Sequence, residues 1–173
     1  MIHLLRAQPL PSADEAEPPK RLVILRWGEN KACNDGKFIV NETTARELPR
    51  NQARVNFERV ALDFNHNTVE GTPYYRGEPA PVAGYAALSV VPGEGLVYED
   101  IEWTPEGIEH VFKKRHYRAL SAAVKRNEHD EVIFCHSAAV CRQGQVPNLS
   151  ILAADPLAAL DKPDTTKTME KAL

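Results

Sequence analysis

The sequence predicts an α+β domain dominated by β-structure, a twisted or barrel-like sheet flanked by helices. Three observations lead there. Apolar runs of strand length recur along the chain, separated by clusters of Gly, Pro, Asn and Asp. One well-marked helix start lies between two such groups of runs. The stretch LVYEDIEW, residues 96–103, alternates apolar and acidic residues as a half-buried strand does.

Residues 7–20 are rich in Pro, Ala and acid and read as an arm. Arg21 to Trp27 is the first strand and Lys37 to Val40 the second, after the turn signal Asn34-Asp35-Gly36. Thr43 and Thr44 are the expected N-caps of a short helix that Pro49 interrupts. Arg59 to Leu62 is a third strand, ending in the polar stretch Asp63-Phe64-Asn65-His66-Asn67.

Three prolines and two glycines make residues 70–81 a surface loop. Val82 to Val91 and Leu96 to Trp103 then form a hairpin around Pro92-Gly93-Glu94-Gly95. Thr104-Pro105-Glu106 starts a helix: a hydroxyl cap, proline at the first position, then an acid near the positive end. Ile108, Val111 and Phe112 are its apolar face, with Lys113, Lys114 and Arg115 in its last turn. Arg118 to Val124 and Val132 to Val140 are the last two strands. The organisation expected is an arm (1–20), one domain (21–152) and a tail or linker to a further region (153–173).

The 173 residues suit one domain of ordinary size, and 43% hydrophobic content supports a core. A net charge of -3 argues against nucleic acid as a partner. No apolar run approaches the ~18 residues of a membrane span, so no membrane partner is expected. Three cysteines without paired spacing, Cys33, Cys135 and Cys141, fit a reducing compartment. They form no zinc pattern, and neither metal nor cofactor is expected.

Six histidines compete for a chemical role. His3 falls in the arm and His129 in a charged turn. His110 and His116, six apart on the expected helix, should face different sides and not chelate together. His66 and His136 remain. Ser121 enters a strand and is followed by Ala122 and Ala123, small neighbours that would let a substrate backbone approach. A serine becomes a nucleophile only if an imidazole takes its proton, and 55 residues of separation from His66 leave that to the fold. Packing roles are the bland alternative for all three side chains.

Four blocks in order resemble the Mu-like phage head-maturation proteases, a family similar in fold to the herpesvirus assemblin proteases. They are LDFNHN, APVAGYAALSVVPGEGLVYEDIEWTPEG, HYRALSAAV and SAAVCRQGQVPNLSIL, spread over roughly Arg21 to Leu152. The resemblance implies a serine endopeptidase acting in the host cytoplasm, inside the immature capsid. Its substrates would be scaffold and major capsid protein, and at times itself; a homodimer is compatible with it.

Position by position, the resemblance makes His66 the general base and Ser121 the nucleophile. His136 ranks first for the third member, with Asp63 the alternative. The oxyanion donor is open among backbone N–H groups, Arg118, Arg126 and Arg142. Two departures stand out: Ala122 where the family has proline, and the extra residues 142–146 in the closing block. A capsid-binding module without chemistry, or a cysteine hydrolase using Cys135 or Cys141, would be the competing functions.

Overall fold

The computed structural model describes residues 3–4, 8–9, 17–31, 36–77 and 79–142. In chain order the strands are β1 (His3–Leu4), β2 (Gln8–Pro9), β3 (Leu22–Arg26), β4 (Gly28–Lys31) and β5 (Lys37–Val40). Next come helix α1 (Glu42–Arg54), β6 (Arg59–Phe64), β7 (Val82–Val91) and β8 (Gly95–Trp103). One helical turn, α2 (Pro105–Gly107), continues as a π-helix over Ile108–Lys113, before β9 (Ala119–Arg126) and β10 (Val132–Cys141).

Eight of these strands form one sheet in the order β1-β9-β10-β6-β7-β8-β3, with β2 also on β9; β4 and β5 form a separate ribbon. Its two sides approach where β3 nears β9, so the sheet nearly closes into a barrel. The β-dominated, barrel-like expectation holds at this level. Every pairing in the sheet is antiparallel except β10 with β6. Two stretches of the expected arm, β1 and β2, pair with β9, the strand that carries Ser121.

Alternation decides what each strand buries. Leu62, Leu96, Tyr98, Leu120, Ala122, Val124 and Val140 belong to the core cluster. Gln52 of α1 closes the end of the β10–β6 pairing. Its amide donates to the Cys135 carbonyl and accepts the Cys135 N–H, each at 2.9 Å, in place of a neighbouring strand.

The helices depart from expectation. Asn41, not a threonine, caps α1: its Oδ1 accepts the N–H groups of Thr43 and Thr44, while Thr44 Oγ1 accepts the Asn41 N–H. Pro49 sits inside α1 without ending it. It lies on the exposed face, where water can satisfy the carbonyl it leaves bare, while Leu48 and Gln52 hold the buried face. The second helix starts as expected, with Thr104 Oγ1 accepting the Gly107 N–H at 3.0 Å. It gives way to π geometry after one turn.

Candidate active site

The polar stretch after Leu62 first extends β6 and then turns. Asp63 and Phe64 are still in the strand, and the Asn65 N–H reaches the Val140 carbonyl at 3.0 Å. Asn65 and His66 then adopt left-handed φ of 54° and 61°, and the Asn67 N–H closes onto the Phe64 carbonyl at 3.0 Å. That is the φ pattern of a type I′ turn. Non-glycine residues hold such a backbone at a cost of order 1–3 kcal/mol, asparagine and histidine more often than most, and such positions cluster at functional sites.

Asp63 holds the turn. Fully buried, its carboxylate accepts the His66 N–H at 2.9 Å and the Thr68 N–H at 3.4 Å. It also accepts the Thr68 hydroxyl. Burial pushes this carboxyl up to about 7, against the hydrogen bonds from Thr68, His66 and Ser137 that favour its charge. Asp63 therefore touches the backbone of His66 and not its ring.

The His66 ring is 2% exposed, and neither of its nitrogens has a hydrogen-bond partner among the described residues. Burial, and then the neighbouring His136, lower it to about 3, so it is neutral at physiological pH. His136 lies at a bulge where the β10–β9 register shifts between Cys135 and Ser137. Burial lowers it to about 4. Its Nδ1 is 3.1 Å from Ser137 Oγ, and its ring packs on Phe57 at 5.6 Å. Ser137 thus stands beside His136 and favours the charge of the Asp63 carboxyl, with His66 as their electrostatic neighbour.

Ser121 sits in β9, 3% exposed, opposite Ala139 of β10, which is opposite Asp63 of β6. Hydroxyl, methyl and carboxyl thus form one row across three strands, spanning roughly 10 Å of backbone. Leu120 and Ala122 enter the core, so Ser121 takes the other face, with Ala139. Because neither ring nitrogen of His66 is bonded, a Ser121–His66 hydrogen bond is not made here. The fold brings Asp63, His66 and His136 near one another and sets Ser121 in one row with Asp63; Asp63, His66 and Ser121 are buried and His136 is half-buried.

Beside the turn, on the side of Asn65 and Asn67, a cleft of about 280 Å³ opens between Phe64, Asn67, Tyr74, Arg76, His110 and Tyr117. The sequence assigns no role to Tyr74, Arg76 or Tyr117 of this cleft, nor to Ser137 within the site. The expected separation of His110 and His116 is overturned. Their rings stack at 5.7 Å, because the helix stops, Arg115 turns left-handed at φ 52° and the His116 N–H returns to the His110 carbonyl. Among the described residues no group of three or more His, Cys, Asp or Glu is placed to hold a metal.

The arginines named as oxyanion donors are engaged or remote. Arg118 is exposed, with Nε on the Arg115 carbonyl. Arg126 bonds the Lys37 carbonyl and Asp130 at the other end of β9. Arg142 is exposed after β10. Cys135 and Cys141 are buried, and burial pushes the Cys135 thiol up to about 12; Cys33 lies outside the described residues.

Fold and site define a barrel-like β domain with a buried hydroxyl on β9, a buried carboxyl on β6 and a buried imidazole on the turn that follows β6. A family described as Mu-like prophage I protein, N-terminal domain, matches residues 23–154, more than half of the chain. The chain belongs to that family and is a phage-related protein. No curated protein and no solved structure matches it. Among the described residues, no helix is long and apolar enough to cross a membrane.

Proposed function

We propose that the protein is a serine endopeptidase of phage capsid maturation. It would cleave scaffold, and possible sites in its own chain, inside the immature shell. The observation that carries this is the buried, neutral imidazole of His66, without a hydrogen-bond partner among the described residues and held on a left-handed turn beside the strands that bear His136 and Ser121.

In the proposed reaction Ser121 Oγ attacks the scissile carbonyl carbon while its proton passes to a nitrogen of His66. The tetrahedral intermediate collapses as that proton is given to the leaving amine, and water then releases the acyl group by the same route. His136 would stabilise the His66 imidazolium. If Ser137 donates its hydroxyl proton to Asp63, it accepts from His136 Nδ1–H, and the other nitrogen of His136 is then an acceptor. A neutral His136 suits that role, and Asp63 serves by fixing the turn. Ser121 and His66 must close into contact when substrate binds, as catalytic hydrogen bonds often do.

The closed site and the missing Ser121–His66 bond favour a second reading, a capsid-binding module without chemistry. Co-expression with the scaffold and major capsid proteins of the same phage separates the two. The enzyme reading expects scaffold fragments with wild type and none with Ser121→Ala or His66→Ala. Intact scaffold that co-purifies equally with all three proteins would leave the module.

A further inference from the structure

We infer that the cleft beside the 64–67 turn is a substrate subsite. It would take one apolar side chain of an extended peptide and bond a main-chain N–H of that peptide through Asn67 Oδ1. This rests on the endopeptidase reading and adds to it the part of the substrate that is recognised.

Asn67 is 3% exposed and lines the cleft. Its amide is oriented without ambiguity: Nδ2 donates to the Pro81 carbonyl at 2.8 Å, so Oδ1 must be the other atom. That oxygen has no hydrogen-bond partner among the described residues. A buried, unpaired amide oxygen costs free energy that a bound donor would recover. A ligand that fills the cleft beside Asn67 and brings an N–H would supply that partner.

The walls say what else that ligand carries. Phe64 and Tyr117 pack at 5.0 Å between ring centroids, and His110 meets Phe64 edge-on at 6.1 Å, making an aromatic floor. Arg76 and Glu106, of opposite charge, both line the cleft, so neither sign of charge is favoured inside. The volume of about 280 Å³ is at the small end for ligand sites and suits a single residue. His66 lies between Asn65 and Asn67, both lining residues, so the cleft adjoins the turn that carries the imidazole.

The test uses the full chain carrying Ser121→Ala, labelled for NMR, so that no chemistry intervenes. The probe is N-acetyl-leucine N-methylamide. Its control is methyl 2-acetoxy-4-methylpentanoate, the same shape with both N–H groups replaced by oxygen. The amide should shift resonances of Asn67, Tyr74 and Tyr117 and bind about tenfold more tightly than the ester. N-acetyl-aspartate N-methylamide should bind more weakly than the leucine probe.

Equal binding of amide and ester, or shifts elsewhere on the protein, would overturn the inference. So would an unchanged amide preference in Asn67→Ala; if that variant does not fold, the probe pair still decides. Scaffold cleavage by the wild-type protein is scored separately. Cleavage without probe binding at the cleft removes the subsite and keeps the enzyme. Probe binding without cleavage keeps a peptide-binding cleft and removes the enzyme.

Discussion

The Asp63 carboxylate accepts the backbone N–H of His66 at 2.9 Å and makes no bond to its ring. The acid next to this imidazole in sequence is therefore a cap for the turn. Asp63→Ala should cost about 1–3 kcal/mol in urea denaturation, because buried donors lose their acceptor. Asp63→Asn keeps one acceptor oxygen and should cost less. Neither the tautomer nor the pKa of His66, followed by NMR, should change much in Asp63→Asn; a large change would mean that the acid orients the ring after all.

The same residues set opposing pH dependences. His66 and His136, lowered to about 3 and about 4 from 6.5, stay neutral in the fold where the unfolded chain binds protons. Their effect is a stability lost as pH falls below about 6.5. Asp63, raised from 3.8 to about 7, keeps its proton in the fold where the unfolded chain has lost it. Its contribution is lost as pH rises from about 4 to about 7. Two imidazoles outweigh one carboxyl, so stability should rise from pH ~4 to ~6.5 by at most about 1.4 kcal/mol per unit. In Asp63→Asn the opposing carboxyl is gone and the slope should steepen. Chemical denaturation at a series of pH values reads both slopes; parallel curves would place the Asp63 charge in the folded state.

Ser137 Oγ lies 3.1 Å from His136 Nδ1 and favours the charge of the Asp63 carboxyl; it opens the block SAAVCRQGQVPNLSIL, yet the sequence assigned it no role. Ser137→Ala should destabilise the fold by about 1–3 kcal/mol and release the tautomer of His136, seen in its ring nitrogen shifts. Scaffold cleavage should fall more through kcat than through KM, because positioning is lost and substrate contact is not. Ser137→Thr, which keeps the hydroxyl, should restore the tautomer where it fits.

Gly107, in the first turn of the helical segment, has its Cα against β7. A Cβ there would lie 2.0 Å from the Ala83 carbonyl oxygen, which is backbone and cannot swing aside. Gly107→Ala should cost about 3 kcal/mol or more and lift the segment that carries His110 away from the cleft. A thermal shift of only a degree or two would show that the helix start tolerates displacement.

Cys135 is fully buried, and its thiol is pushed up to about 12. Native protein at neutral pH should leave Cys135 unlabelled by iodoacetamide over hours, while denatured protein labels fully; peptide mapping assigns the site. Rapid native labelling would revive the cysteine-hydrolase alternative.

Much of the fold was legible because strand signals are local. Val82 to Val91 and Lys37 to Val40 are strands with the bounds expected, and Thr104 caps its helix as its hydroxyl and the following proline predict. Pro49 misled because propensity weighs the lost N–H but not the exposure that makes the loss tolerable. The meeting of His110 and His116 was hidden because helical periodicity assumes that the helix continues, and this one ends between them.

By itself the sequence determined the strand and turn pattern, a polar imidazole-bearing turn after β6, and the short list His66, Ser121, His136 and Asp63. Only the tertiary structure decided that Asp63 serves backbone, that Ser137 stands beside His136, and that Ser121 shares a row with Asp63. The reason lies in register. Bulges between Leu62 and Asp63 and between Cys135 and Ser137 each slip a strand by one residue. One such slip carries every later side chain to the opposite face of the sheet, a choice made between strands rather than within any of them.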